Sequence, residues 1–508
     1  MALIPIIKQL AFRSIILLVI KIIGALVRIP LFRLLGAEGV GLYQMIYSLY
    51  GLMLTIVTGG IPMTITFSTA KDQQQGLRML KAAILLLTAF GVIMGLLFHV
   101  LAFQIADLLG DRRLVWSIRF MAPAIVMVPL LSLVRGYMQG LECYGRIAIS
   151  ELIEQIFRVF TMLLLVSLWI QHSLGLAVGG AIFGAVVGAW MALCFLIITM
   201  RSTWNNKRSN KFSRATEHEI SFFTYIWLIR ASMTITASRL IMPFSDFIDA
   251  LIIPHRLQHA GVTGVSSIAI YGVFTGMAAS IVYMPTLVSS AVSHIYAAKM
   301  AADWKKGLYY RFQIRVVIIL QRGWIWGLGC SLFLYYNHEQ LSRALFGNEI
   351  ASKAILYLCL APLISGMRDL STTILWAADK KREPMHGLIL GIVIASGSGY
   401  FLVGQPPFSF IGIAVELLAL EWIAALWNIR ILHKMNPHFL SLKHLVRETL
   451  LIITVAWVSI QLGKLFTYML VESSLVSTYG TMMMSFICIF SFVLIRSWVS
   501  LKTNLFIS

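Results

Sequence analysis

Long apolar stretches separated by short polar segments run along the whole chain. Residues 80–109, 152–170 and 177–200 each hold 18 or more residues with almost no charge, which is the length that crosses the hydrocarbon core of a bilayer as a helix. Open strands in lipid would leave their backbone groups without hydrogen bonds. The pattern therefore predicts an all-α polytopic membrane protein with about 14 transmembrane helices.

Charged residues, Gly and Pro mark the ends of the predicted spans. The boundaries carry an error of about two to four residues. The predicted spans are 10–35, 40–68, 79–109, 114–141, 149–171, 174–200, 219–251, 264–299, 312–336, 352–377, 385–404, 409–433, 445–471 and 475–499.

A weak internal repeat links span four to span ten. Met121-Ala122-Pro123 is predicted to open a span that ends seventeen residues later at Gly140, and Leu360-Ala361-Pro362 one that ends at Asp379. A separation of six spans is typical of transporters built from repeated halves.

The repeat predicts two pseudo-symmetric six-helix bundles followed by two C-terminal helices. The N-terminal bundle covers residues 1–200 and the C-terminal bundle covers 219–434. A cytoplasmic basic loop at 201–218 joins them, and the two additional transmembrane helices lie within 445–499.

Charge is scarce, and it is unevenly distributed. Of the 508 residues, 59% are hydrophobic and 12% are charged, and the formal net charge is +20. With the N-terminus inside, 25 of the 41 Lys and Arg residues fall in cytoplasmic segments, 7 in external segments and 9 within spans. This asymmetry is what the positive-inside rule expects. It predicts a multi-pass protein of the cell (plasma) membrane with both termini cytoplasmic, and the first span is predicted to be retained rather than cleaved.

The positive charge is therefore explained by topology and by contact with membrane lipids rather than by nucleic acid. The five cysteines include no C-x-x-C pair, so neither a disulfide framework nor a zinc site is indicated. The chain shows no metal-binding or nucleotide-binding motif, and the histidines are scattered near span ends. We expect no cofactor, no metal and no catalytic residues.

Nine cations fall inside predicted spans, where each needs a partner, an aqueous cavity or a ligand. They are Lys21, Arg28, Arg135, Arg158, Arg230, Arg239, Arg322, Arg368 and Lys464. Arg158 follows Glu154 by four residues and can pair with it along one helix face. Arg322 continues the side of Arg311 and Arg315, and we expect it to snorkel towards the cytoplasm.

Lys21 and Arg28 are harder to explain by snorkelling. A spacing of seven places both on one face of span one, roughly 16 and 27 Å from its cytoplasmic start. Span seven repeats the arrangement with Arg230 and Arg239. Cations that face one another require an anion, and phosphate or pyrophosphate is the obvious candidate. The alternative is that these cations only pair with carboxylates on neighbouring helices.

Those carboxylates are themselves candidate functional residues. Asp246 and Asp249 lie beyond Arg239 in span seven, and Glu416 and Glu421 lie in span twelve. They are predicted to be either charge partners of the cations or groups that couple transport to a cation gradient.

Glycines flank the cationic part of span one. The sequence GAEGVG at 36–41 and the pair Gly59-Gly60 before Pro62 are predicted to break the first two spans. Such breaks suit either the hinges of a transporter or ordinary close helix packing.

Four segments resemble the stage V sporulation protein B family of bacterial polysaccharide transporters. They are KIIGALVRIPLFRLLGAEGVGLYQ at 21–44, LYGLMLTIVTGGIP at 49–62, RGYMQGLECYGRIAISELIEQIFRV at 135–159 and FIDALIIPHRLQHAGV at 247–262. That family belongs to the multidrug/oligosaccharidyl-lipid/polysaccharide (MOP) exporter superfamily, which includes the MurJ-type lipid II flippases. The resemblance implies a MATE-like fold with a cationic central cavity and a groove for a polyprenyl tail.

By position, Lys21 and Arg28 match the cationic first helix that meets the substrate pyrophosphate in such flippases. Arg230 and Arg239 are assigned to the same cavity by depth and sidedness. The implied function is translocation of an undecaprenyl-pyrophosphate-linked oligosaccharide to the outer leaflet by alternating access, for cell-wall, spore-cortex or polysaccharide synthesis. The membrane potential or a cation gradient would drive it, and cell-wall or polysaccharide synthases would be its partners.

Two other functions remain open at this point. A multidrug/cation antiporter of the same superfamily would need acidic and aromatic cavity residues, against which the cation-rich first helices argue. A membrane-embedded glycan-synthesis enzyme or scaffold would use the same lipid, but an enzyme usually needs carboxylates or a histidine and a sizeable aqueous loop.

Overall fold

The computed structural model describes residues 3–207, 222–435, 442–470 and 474–505. Every regular element in these ranges is a helix, so the predicted all-α fold class is confirmed. Contacts divide the chain into two compact units. Unit 1 holds Met1–His255 and Gly264–Gly272, and unit 2 holds Arg256–Thr263 and Val273–Ser508. The predicted basic loop at 201–218 is helical up to Lys207, because α7 continues to that residue, and it lies outside the described residues from position 208 onward.

The first eight helices begin in unit 1, and a ninth, short helix also belongs to it. They are α1 (Leu3–Thr58), α2 (Ile61–Lys71), α3 (Gln73–Val100), α4 (Ala102–Leu109), α5 (Leu114–Gly140), α6 (Tyr144–Trp169), α7 (Leu174–Lys207), α8 (Phe222–His259) and α9 (Gly264–Tyr271).

The remaining helices belong to unit 2. A π-helical turn at Gly272–Ala278 leads into them, and a short 3₁₀ turn at Pro406–Phe408 precedes α16. They are α10 (Ala279–Val282), α11 (Thr286–Lys305), α12 (Tyr309–Phe346), α13 (Ser352–Tyr357), α14 (Ala361–Ala377), α15 (Glu383–Val403), α16 (Ser409–Met435), α17 (Leu442–Leu470) and α18 (Ser474–Leu505).

In the described ranges, eleven helical segments are long and apolar enough to cross a membrane, judged by length and composition. They overlap twelve of the fourteen predicted spans, because the segment Phe12–Lys71 overlaps both spans one and two. Predicted span eight at 264–299 is not one continuous α-helix, since it is divided among α9, the π-helical turn, α10 and α11. Span seven corresponds to α8, which carries several charges, and span ten to α14, which has only 17 residues. The chain is thus a multi-pass membrane protein, and the number of crossings stays a prediction.

Glycines break the first two spans, as the sequence predicts. Gly36 has φ 66° and ψ 176°, which interrupts the helical conformation inside α1. Gly59 has φ 52°, a left-handed conformation that costs glycine nothing. A β-carbon at Gly60 would lie 2.6 Å from the Ser232 carbonyl oxygen of α8. The Gly59-Gly60 turn therefore ends α1 and lets α8 approach closely.

A row of glycines on α7 positions α6. A β-carbon at Gly184 would lie 2.7 Å from the Arg158 carbonyl oxygen, and one at Gly188 would lie 2.6 Å from that of Glu154. Small residues spaced by four let two membrane helices pack backbone against backbone. The close contact with α7 therefore fixes the backbone of α6 at Glu154 and Arg158, which carry its charged side chains.

The internal repeat is visible at helix ends, although the Ala-Pro pairs mark it poorly. Pro362 is at the start of α14, whereas Pro123 lies inside α5, which begins at Leu114. The prediction that Pro123 opens span four is therefore wrong, whereas the start at residue 114 predicted from the apolar run agrees with α5. Membrane helices tolerate an internal proline because neighbouring groups satisfy the freed carbonyl.

Two equivalent pairs of left-handed residues mark the repeat better. Gly110 (φ 88°) follows α4 and Glu142 (φ 58°) follows α5, while Gly347 (φ 78°) follows α12 and Asp379 (φ 59°) follows α14. Both pairs are 32 residues apart, from 110 to 142 and from 347 to 379. This matching spacing supports the predicted pseudo-symmetry of the two six-helix sets.

Candidate functional site

The N-terminal part of α1 and the start of α6 share a polar face in unit 1. An ion pair joins Arg13 to Glu151 at 2.8 Å. Further along α1, a β-carbon at Gly24 would lie 3.5 Å from the Gln155 side-chain nitrogen. Lys21 lies three residues before Gly24 and Arg28 four residues after it, so both project near this face.

Lys21 and Arg28 are exposed. Neither forms an ion pair within the described part of the chain. In the described residues, therefore, no neighbouring carboxylate neutralises Lys21 or Arg28, which is the alternative that the sequence left open. Their assignment to a substrate remains a prediction.

Glu154 on α6 holds two arginines. Its Oε2 atom lies 2.6 Å from Nη1 of Arg135 on α5, and its Oε1 atom contacts Nη2 of Arg158 one turn along its own helix. The predicted pairing of Arg158 with Glu154 is thus confirmed. Arg135 also donates from Nε to the Ser150 hydroxyl at 3.0 Å. In the described residues, Nη2 of Arg135 and Nε of Arg158 are buried without a hydrogen-bond acceptor.

Three tyrosines from the second part of α1 border the same arginines. The Tyr43 and Tyr47 rings stack with centroids 5.7 Å apart, and the Tyr47 and Tyr50 rings lie 6.3 Å apart. Both Arg28 and Arg158 act electrostatically on the Tyr43 hydroxyl group. Arg28 and Arg158 therefore both lie within electrostatic reach of Tyr43, a relationship that the sequence did not predict.

We call Lys21, Arg28, Arg135, Arg158, Glu154 and the three tyrosines the α1–α6 cluster. It contains four cations and a single carboxylate, which leaves a formal charge of +3. Guanidinium and phenol groups donate hydrogen bonds to an oxyanion. The cluster is suited to binding an anion with two or more negative charges.

Arg230 and Arg239 lie on α8, also in unit 1 and both exposed. Nη1 of Arg239 lies 3.5 Å from the Gly59 carbonyl oxygen, a contact at the outer limit of a hydrogen bond. The Gly60 N–H donates to the Thr236 hydroxyl at 2.8 Å. Arg239 therefore lies beside the turn between α1 and α2. Among the described residues, no hydrogen bond or ion pair links Arg230 or Arg239 to the other two cations.

The four candidate coupling carboxylates separate into two groups. Asp246 is exposed and Asp249 is half-buried on α8 in unit 1. Glu416 and Glu421 are buried on α16 in unit 2. A β-carbon at Gly399 would lie 2.2 Å from the Glu416 carboxyl carbon, so this glycine gives the carboxylate its space. Glu421 pairs with Nε of Arg368 at 3.0 Å.

The described residues contain no group of three His, Cys, Asp or Glu that could hold a metal. Apart from the Glu154 carboxylate, every polar side chain of the α1–α6 cluster carries a hydrogen-bond donor, which favours an anionic ligand over a cation.

Comparison with known proteins identifies the family. The model of the family described as "Polysaccharide biosynthesis protein" matches residues 6–296, which is more than half of the chain. The chain belongs to this family. The match includes α1, α5, α6 and α8, which carry the α1–α6 cluster, Arg230 and Arg239.

Two curated relatives from Bacillus subtilis (strain 168) match most of the chain. The chain is 22% identical to "Stage V sporulation protein B" over 452 residues, covering 87% of this chain and 86% of the relative. It is 23% identical to "Lipid II flippase MurJ" over 472 residues, covering 86% and 84%. The resemblance predicted from the four sequence segments is confirmed.

Two solved structures share the fold. One is described as "Lipid II flippase MurJ, inward closed conformation", with a TM-score of 0.67, 13% identity and coverage of 96% of this chain and 99% of that one. The other is the inward-facing conformation of a multidrug resistance MATE family transporter of the MOP superfamily, with a TM-score of 0.63, 12% identity and coverage of 82% and 95%. The chain is thus a membrane transporter of this superfamily, a class of transporters and flippases rather than enzymes.

Sequence reasoning missed the tyrosines and the second arginine on Glu154. The tyrosines stand at positions 43, 47 and 50, spacings of four and three that place them on one helix face. That periodicity was available as a signal. The contact between Arg135 and Glu154 joins two helices across 19 residues and has no periodic signature.

Proposed function

We propose that this transporter moves an undecaprenyl-pyrophosphate-linked oligosaccharide from the cytoplasmic to the outer leaflet. The lipid tail stays in the bilayer, and the pyrophosphate and its sugars pass through a cavity that opens first to the cytoplasm and then to the outside. Lys21, Arg28, Arg230 and Arg239 bind the pyrophosphate during this cycle. No covalent bond is formed or broken.

One observation carries the proposal: Lys21 and Arg28 lack carboxylate partners in the described residues while nearby arginines have them. Arg13 pairs with Glu151, and Arg135 pairs with Glu154. A cation at bilayer depth costs at least about 2.5 kcal/mol unless something compensates its charge. An incoming pyrophosphate diester, with two negative charges, would compensate both Lys21 and Arg28.

The same observation favours this substrate over an organic cation. A cation antiporter needs carboxylates that face its cargo, but Glu151 and Glu154 are already engaged by arginines. The surplus of positive charge in the α1–α6 cluster would repel an organic cation and attract a pyrophosphate.

The membrane potential supplies part of the driving force in this proposal. Moving one negative charge outward across an inside-negative membrane gains about 2.3 kcal/mol per 100 mV. Asp246 and Asp249, which lie on the same helix as Arg230 and Arg239, are the first candidates for coupling to a cation gradient. The relatives' names suggest that the product enters cell-wall or spore-related synthesis, for which synthases would be the partners.

The direct test is reconstitution of the purified protein in vesicles that carry synthetic lipids with one glycan and three linkages. The lipids are an undecaprenyl pyrophosphate, an undecaprenyl monophosphate and an uncharged undecaprenyl glycoside. A membrane-impermeant glycan-modifying enzyme measures how fast each head group becomes accessible from outside, with and without a potassium diffusion potential.

We expect protein-dependent translocation of the pyrophosphate-linked lipid, faster when the compartment of origin is negative. The uncharged glycoside should remain at the protein-free rate. Equal rates for the charged and uncharged lipids, or no protein-dependent rate for the pyrophosphate lipid, would refute the proposed substrate class.

A further inference from the structure

Helices α11 and α12 of unit 2 run antiparallel, and two polar side-chain contacts join them. Nε of Arg315 lies 2.6 Å from Oδ2 of Asp303. Seven residues further along α12, Nη1 of Arg322 donates to the Tyr296 hydroxyl at 3.1 Å, and Tyr296 precedes Asp303 by seven. The two arginines therefore lie on one face of α12, and each meets a residue on one face of α11.

The contact of Arg315 with Asp303 and the contact of Arg322 with Tyr296 differ in charge balance. Arg315 has the carboxylate of Asp303, whereas Arg322 has only a neutral phenol. Within the described ranges, Nε and Nη2 of Arg322 are buried and have no hydrogen-bond acceptor. The expectation that Arg322 snorkels to the cytoplasm is therefore wrong, because a snorkelling guanidinium keeps these atoms in water.

Apolar residues flank Arg322 along α12. Ile319 and Ile325 on α12 are buried in a hydrophobic core that also includes Met367 and Leu370 of α14. Gly323, next to Arg322, faces Leu370. A guanidinium in such a place is costly unless an opposite charge accompanies it. None of the ion pairs found among the described residues supplies that charge to Arg322.

Two serines extend the polar face of α11. Ser289 and Ser293 precede Tyr296 by seven and three residues, and the hydroxyls of both are buried without a hydrogen-bond partner in the described part of the chain. A β-carbon at Gly366 of α14 would lie 3.1 Å from the Ser289 hydroxyl oxygen. These hydroxyls thus lie in the helix contact, and they can donate to an acceptor that the protein itself does not provide.

We propose that Arg322, Tyr296, Ser293 and Ser289 bind a small monovalent anion of the halide class, with chloride as the natural occupant. One such anion neutralises one guanidinium, and it accepts hydrogen bonds from Nε, Nη2 and the hydroxyls at once. A bulky or multiply charged anion would be a poor occupant, because the walls are apolar and only a single cation faces them. The bound anion takes the place that Asp303 has beside Arg315, and it holds α11 against α12.

The site is independent of the proposed substrate, because none of its residues belongs to the α1–α6 cluster. Its test is thermal unfolding of the whole protein in lipid nanodiscs, in sodium chloride, sodium bromide or sodium gluconate at constant ionic strength. We expect the unfolding midpoint to rise with chloride or bromide and to saturate, as linkage to a bound ligand requires. Gluconate should give no such rise.

Arg322→Gln should abolish the saturable halide effect, and Tyr296→Phe and Ser293→Ala should each raise the half-saturating concentration about tenfold for one lost hydrogen bond. Arg311→Gln is the matched control, because Arg311 is an exposed cation on the same helix, and it should respond to halide like the wild type. A halide effect that persists in Arg322→Gln, or that is absent from the wild type, would overturn the site.

A variant with an added carboxylate distinguishes loss of the anion site from loss of folding. Ser293→Asp places a negative charge one turn from Tyr296, so it should keep the protein folded in gluconate and remove the halide dependence. Anomalous scattering from bromide-soaked crystals gives a second readout. We expect a bromide peak within about 3.5 Å of the Arg322 guanidinium, and a clear map without that peak would contradict the proposal.

Discussion

Nη1 of Arg135 lies 2.6 Å from Oε2 of Glu154, so this pair ties α5 to α6 beside the exposed cations of α1. Because Arg158 uses the other oxygen of the same carboxylate, Glu154 balances two guanidinium groups.

The first prediction concerns this shared carboxylate. Glu154→Gln leaves two partly buried arginines without their counter-charge, and we expect a loss of about 3–5 kcal/mol in the free energy of unfolding. Thermal unfolding in detergent measures it. Glu349→Gln is the control, because it breaks an exposed pair with Arg343 that is worth only about 0–1 kcal/mol. Similar losses in the two variants would show that Glu154 has no special structural role.

The second prediction concerns the left-handed residues that end α5 and α14. Glu142 and Asp379 adopt φ 58° and 59°, a conformation that costs a residue with a β-carbon roughly 1–2 kcal/mol. Glu142→Gly and Asp379→Gly should therefore each stabilise the protein by up to about 1 kcal/mol, because glycine's greater freedom in the unfolded state offsets part of the gain. Glu142→Ala keeps the strain and should bring no gain. Stabilisation by alanine as large as that by glycine would contradict this account.

The third prediction concerns the turn between α1 and α2. Gly60→Ala pushes a methyl group to 2.6 Å from the Ser232 carbonyl oxygen, so α8 must shift, and we expect a loss of about 1–3 kcal/mol together with slower translocation. Gly51→Ala, on α1, is the control variant. A β-carbon at Gly51 would meet nothing within 4 Å. That variant should be neutral or slightly stabilising. Equal effects on unfolding and transport would show that the contact with α8 does not matter.

Much of the fold could be predicted because lipid leaves few choices. The apolar runs predicted the positions of most helices. For example, α5 and α7 begin at residues 114 and 174, where the predicted spans begin. Gly36 and Gly59 broke the helices as predicted, since glycine's conformational freedom is local. Pro123 gave a wrong helix start, because a proline begins a helix in one context and lies inside a membrane helix in another.

The site was only partly predictable for a related reason. The pair of Arg158 with Glu154 follows from helical periodicity, whereas Arg135 reaches Glu154 from another helix. The pairing of Arg368 with Glu421 likewise joins α14 to α16. Arg322 was misjudged because sequence position gives the depth of a side chain but not which neighbours bury it. The nature of a partner across a helix contact is decided by packing.

The central claim is that Lys21 and Arg28 bind the transported anion. The most direct measurement compares, in the same vesicles, translocation of the pyrophosphate-linked oligosaccharide by the wild type and by Lys21→Gln and Arg28→Gln, with Lys81→Gln as a control that removes an exposed cation from α3. Each lost charge-assisted hydrogen bond is worth about 1.5–3 kcal/mol, so we expect about a tenfold to hundredfold slower translocation at limiting substrate in the first two variants, with unchanged unfolding midpoints. The control should match the wild type. Wild-type rates in both Lys21→Gln and Arg28→Gln would contradict the account.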